Sequence, residues 1–118
     1  MHVDRQVYML SNIHLKTSRV SIGTWAIGGG WGPQPEEQLL NALYKALELG
    51  CGLIDTAALY GNGRAEKLVT QALRTFGKQV TTLTRVYPQN YIWSPPIGTP
   101  IDDIYPPQHI IAQTEASS

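Results

Sequence analysis

Cysteine is nearly absent from these 118 residues. Cys51 stands alone, which excludes an internal disulfide and a thiolate metal cluster. Between a helix end and a strand, it reads as a small buried residue. The three histidines, His2, His14 and His109, lack the short spacings of zinc ligands, so packing or solvated roles are expected and no metal site is. An excess of one charge is missing too. Nine basic and nine acidic side chains cancel, without the clustered positive field that a nucleic acid or an anionic membrane surface requires. No stretch approaches the roughly 20 apolar residues of a spanning helix. The opening "MHVDRQVYMLSN" lacks the basic start and apolar run of a secretory leader. A cytoplasmic protein with no nucleic-acid or membrane partner is the expectation.

What is present is globular in character. Apolar residues make up 42% and charged residues 15%, enough for one modest core and too little charge for disorder. A single domain over residues 1–118 is expected. "VYML" at 7–10 and "RVSIGTW" at 19–25 are short β-favouring runs. Pro35, Glu36 and Glu37 suit a helix start, and Leu39, Leu43 and Leu47 make an apolar stripe that Gly50 is placed to end. "GLIDTA" follows as a buried strand, "AEKLVTQALRTF" as a second amphipathic helix closed by Gly77, and "QVTTLTR" as a strand ending at Arg85. Strands are predicted near Val20–Trp25, Leu53–Thr56 and Val80–Thr84, and helices near Pro35–Leu49 and Arg64–Phe76 on one side of them. This alternation implies parallel strands with right-handed crossovers, in either an open sheet or a barrel. Val86 to Tyr105, with Pro88, Pro95, Pro96 and Pro100, reads as a long irregular loop of functional kind. "PQHIIAQTEASS" reads as the start of a third helix.

Two glycine-rich stretches resemble nucleotide loops and fail the comparison. Pro33 takes the place of the third glycine in G-x-G-x-x-G after "GGGWG", and "GNGRAEK" lacks the Gly-Lys-Ser/Thr ending of a phosphate loop. A better candidate is "LIDTAALYGNGRAEKL". Asp55 lies at the carboxyl end of a strand, Tyr60 in the loop after it, and Arg85 at the end of the next strand, so all three are expected at one mouth. The alternative is structural: Asp55 capping a turn, Tyr60 packing, and Arg85 neutralising the acid.

"SRVSIGTWAIGG", "LGCGLIDTAALYGNGRAEKLV" and "VTTLTR" together resemble the first part of an aldo-keto reductase, from about His14 onward. The resemblance implies a (β/α)8 barrel, typically about 250 residues, of which three strand–helix units are countable. The chain therefore reads as a partial barrel with a short N-terminal β segment. By this resemblance Tyr60 is the general acid, Asp55 and Arg85 its charged neighbours, and Gly23, Thr24, Trp25 and Asp55 lie near the nicotinamide of NADPH. The implied reaction is reduction of a small aldehyde or ketone. A phenol is a weak acid near neutrality, and a nearby cation stabilises the phenolate. Arg85 departs from the family, which has lysine there; the two are not interchangeable, and arginine is expected to grip Asp55 with two parallel hydrogen bonds. The family histidine of the fourth strand and most of the cofactor-phosphate site have no counterpart before Ser118. The 118-residue chain is thus expected neither to hold NADPH tightly nor to turn over. Its outer strands are expected to leave edges open to self-association. The alternative is a non-catalytic relative serving as a binding or structural module.

Overall fold

The computed structural model of the chain describes residues 15, 17–77, 80–91 and 94–118. The "VYML" strand and the positions of His2 and His14 lie outside the described residues. Three strands, β1 (Ile22–Gly23), β2 (Leu53–Asp55) and β3 (Thr81–Leu83), form one parallel sheet in the order β1-β2-β3. Helices α1 (Glu36–Glu48) and α2 (Arg64–Phe76) make the crossovers, as the alternation predicts. The strands are shorter than expected because pairing is set by Ile22 against Ile54 and Ile54 against Thr82, and hydrogen-bonded continuation stops soon after. Thr24 N–H still donates to Asp55 O at 3.0 Å, and Thr56 N–H to Leu83 O at 2.8 Å. The pairing therefore runs up to the edge of the loops.

Each helix begins and ends where its local chemistry dictates. Pro35 caps α1 from outside with φ −57°, and its carbonyl accepts from Gln38 and Leu39 N–H. Glu36 and Glu37 sit in the first turn and Lys45 in the last, matching the helix dipole. Gly50 at φ 93° then reverses the chain. α2 lies between two left-handed glycines, Gly63 at φ 86° and Gly77 at φ 68°. Leu39, Leu43 and Leu47 of α1 meet Ala65, Leu68, Val69 and Ala72 of α2 over Ile54, all of them buried. Burying a side chain such as Leu43 contributes about 1.5–3 kcal/mol. Leu53 and Asp55 point to the other face of the sheet, away from the helices.

Two expectations need correction, and a third, the last helix, is met. Cys51 is only half-buried, its Sγ–H directed at Leu53 O, 3.1 Å away. The segment from Val86 to Tyr105 is not free of structure. It holds a 3-10 turn at Gln89–Tyr91 and a single-turn helix, α3 (Ile101–Ile104), which Pro100 introduces with φ −57°. The third long helix, α4 (Pro107–Ala116), forms with Pro107 in its first turn but buries no residue.

Among the described residues, β1 and β3 are edge strands, and Leu83 is 48% exposed on the face opposite the helices. Such edges offer unpaired backbone groups to other chains. The 118-residue chain is expected to grow in apparent size with concentration in sedimentation velocity. A size constant from micromolar to millimolar concentration contradicts this.

Candidate active site

The carboxyl ends of the three strands open onto one mouth. Asp55 closes β2, Tyr60 follows in a series of tight turns, and Arg85 lies two residues past β3. Backbone hydrogen bonds fix those turns, among them one from Gly63 N–H to Ala58 O at 2.8 Å and a second from Ala65 N–H to Tyr60 O at 3.1 Å. The second bond ties the Tyr60 backbone to the first turn of α2.

Arg85 joins the three elements. Its Nη2 lies 2.8 Å from both oxygens of Asp55 but donates to Oδ2; the buried Oδ1 receives no hydrogen bond among the described residues. Nη1 donates to Thr56 O at 3.1 Å and to Tyr60 Oη at 3.2 Å. The expected pair of parallel bonds to Asp55 is therefore not what forms. One guanidinium is spread over a carboxylate, a backbone carbonyl and a phenol, because those acceptors lie on different sides of it. The hydrogen bond to Asp55 raises the guanidinium pKa above its already high ordinary value, with burial opposing. Arg85 is thus a permanent cation here. Because Tyr60 Oη accepts from Arg85, its own O–H is free to donate elsewhere.

Elsewhere is a recess of about 700 Å³ whose lining includes Trp25, Tyr60, Arg85, Tyr87 and Tyr105. Trp25 meets Tyr60 edge to face, with ring centroids 5.2 Å apart. The three residues of "GTW" divide their tasks. Gly23, in register with Asp55, is open, with no atom within 4 Å of where a Cβ would stand. Thr24 is fully buried, and both its N–H and its Oγ1 donate to Asp55 O, so it acts on the site by fixing that backbone. Trp25 faces the recess. Gly23, Thr24, Trp25 and Asp55 thus lie at one end of the sheet, at or just past the ends of β1 and β2.

A family model described as the aldo/keto reductase family matches residues 19–117. The chain belongs to the aldo-keto reductase family. The aldo-keto reductase YhdN of Bacillus subtilis is 39% identical over 71 residues, covering 59% of this chain and 22% of that protein. The NADH-specific methylglyoxal reductase of Escherichia coli is 37% identical over 73 residues, with the same coverage of 59% and 22%. The solved glycerol dehydrogenase of Gluconobacter oxydans superposes with a TM-score of 0.69 at 29% identity, over 92% of this chain and 33% of that one. The chain spans about a fifth of the length of these curated relatives. Its parallel sheet and helices match the N-terminal part of the family's (β/α)8 barrel.

Within this aldo-keto reductase segment, some site-forming residues escape sequence reading. Gly28, the first glycine of "GGGWG", lets two backbones touch. A Cβ on Gly28 would stand 2.5 Å from the Tyr60 carbonyl carbon and 2.8 Å from Gly61 N. Gly61 itself has φ 65°. Gly28→Ala is therefore expected to push the Tyr60 loop away and destabilise the fold by about 1–3 kcal/mol. An unshifted urea midpoint contradicts this.

Tyr87 and Tyr105 are the other omissions. Tyr87 had a signal: two residues beyond Arg85 on an extended chain, it projects to the same side. Its hydroxyl lies 3.0 Å from that of Tyr91 and its ring stacks on Tyr91 at 4.5 Å. The hydrogen bond with Tyr91, then burial, holds the Tyr87 phenol above the ordinary tyrosine range. His109 fulfils the expected packing role: its ring meets Tyr87 edge to face at 5.6 Å, and Nε2 lies 2.7 Å from Tyr87 O.

Proposed function

We propose that this chain supplies the proton-donating part of a nicotinamide-dependent carbonyl reductase site, with Tyr60 as general acid and Asp55 and Arg85 as its charged support. One observation carries the reading. A single guanidinium binds both the Asp55 carboxylate and the Tyr60 hydroxyl, at the carboxyl ends of parallel strands, while the phenol faces a recess.

The residues fit the nicotinamide end of the cofactor. Gly23 leaves open backbone against which a flat ring can lie, Trp25 stands beside it, and Asp55 follows in register. When bound, the reduced nicotinamide supplies the hydride. The chain's own part is the proton. A carbonyl oxygen in the recess accepts a hydrogen bond from Tyr60 O–H, and as negative charge builds on that oxygen the Tyr60 proton passes to it. The phenolate left behind keeps its hydrogen bond from Arg85 Nη1, and the fixed positive charge stabilises it. Asp55 holds Arg85 in place through Oδ2. Trp25, packed on the Tyr60 ring, keeps the phenol from swinging out.

NADPH is the cofactor that resemblance favours, and the E. coli relative is NADH-specific by name. The substrate is a small aldehyde or ketone. A completed barrel, in which residues 19–117 replace the matching segment of YhdN, tests the reading with methylglyoxal and either nicotinamide. Consumption of reduced cofactor that depends on methylglyoxal supports it. A folded barrel without such activity favours the second reading, a non-catalytic binding or structural module. The observation behind that second reading is Arg85 itself, standing where the family has lysine and sharing Nη1 with the Thr56 carbonyl.

A further inference from the structure

The recess has one wall that the proton-donating residues do not explain. Trp25 and Tyr60 stand on the β1 and β2 side; Tyr87 and Tyr105 stand on the other, from the segment after β3. Tyr87 is braced from two directions. Tyr91 stacks on its ring and pairs with its hydroxyl. His109, in the first turn of α4, holds its backbone: a carbonyl only accepts, so Nε2 must carry the proton that joins it to Tyr87 O. The bracing is dense for a half-exposed loop residue. Tyr91 accepts a left-handed backbone, φ 56°, as does Asn90 before it, φ 62°, and such conformations persist where the surroundings over-determine them.

We propose that Tyr87 is the specificity-determining wall of the recess, that His109 and Tyr91 are positioning residues acting through it, and that the substrate class is aryl carbonyl compounds. This rests on the reading of the recess as a carbonyl site. Among the described residues, the one charged lining side chain, Arg85, is hydrogen-bonded to Tyr60 Oη, and the rest of the lining is the Trp25, Tyr87 and Tyr105 side chains with the aliphatic Ala57, Leu59 and Val86. A flat apolar substituent on the carbonyl carbon would lie between the Tyr87 and Trp25 rings as its oxygen meets Tyr60. A small hydroxylated ketone would leave those rings uncovered and forgo their contact.

Acetophenone and hydroxyacetone are the probes, titrated into the full 118-residue chain by ligand-observed saturation-transfer NMR. Acetophenone is expected to bind the more tightly, and Tyr87→Ala and His109→Leu to weaken it by about threefold to tenfold, the range of one aromatic contact. His109→Gln, whose amide N–H stands near the place of Nε2–H, is expected to restore binding. Should His109→Leu fail to fold, Tyr87→Ala reads the same wall. Equal binding of the two probes, no acetophenone binding, or wild-type affinity in Tyr87→Ala overturns the proposal. Wild-type affinity in a folded His109→Leu does so as well, and so does failure of a folded His109→Gln to restore binding. No proton or hydride moves in this measurement. Its failure leaves the Tyr60 reading standing, whereas an inactive completed barrel refutes that reading without touching aryl binding.

Discussion

Tyr60→Phe is expected to lower the turnover of the completed barrel by roughly 10²–10⁴-fold, the usual range for one general acid. The substitution removes a single oxygen. The ring that packs edge to face on Trp25 stays, so the fold and the recess should be kept. What is lost is the O–H that the accepted hydrogen bond from Arg85 leaves free to donate. The carbonyl oxygen must then take its proton from water, without the adjoining cation to support the donor. KM should change little beside turnover, because the oxygen's work is done as charge develops rather than on binding. Turnover within threefold of wild type would mean that another group supplies the proton.

The second large effect concerns Arg85. Arg85→Met is expected to reduce turnover by about 10²–10³-fold, comparable to removal of one oxyanion-stabilising donor. It also strands the Asp55 carboxylate, already short of a donor at Oδ1, and frees the Thr56 carbonyl. Arg85→Lys should behave differently. An ammonium is compact, and its whole charge can stand between Asp55 Oδ2 and Tyr60 Oη. The guanidinium disperses its charge and commits part of Nη1 to Thr56. Lysine is therefore expected to raise turnover above wild type. Unchanged or lower turnover overturns this view of Arg85.

Sequence alone revealed the parts of this fold that repeat. The Leu39, Leu43 and Leu47 stripe and the Gly77 boundary of α2 are periodic or stereochemical signals, and both helices form within a residue or two of expectation. The meeting of Asp55, Tyr60 and Arg85 follows from strand-end logic, because parallel strands place all their carboxyl ends together. The direction of the Arg85 fork was not legible. It depends on where the Thr56 carbonyl points, which no side-chain pattern encodes. α3 spans only four residues, too short for an apolar period to register, and owes its start to Pro100. Gly28 against Tyr60 and His109 against Tyr87 are contacts between distant stretches of chain, visible only once the loops are folded.

The central claim is that Tyr60 and Arg85 act as one proton-donating unit. A double-mutant cycle in the completed barrel measures this directly, from the turnover of Tyr60→Phe, Arg85→Met and the double variant. Residues that act as a unit lose their effect together. The account predicts that the double variant is no more than about threefold slower than Tyr60→Phe alone, because a cation without a phenol to support has nothing left to contribute. Losses that multiply in full would show two independent contributions and contradict it.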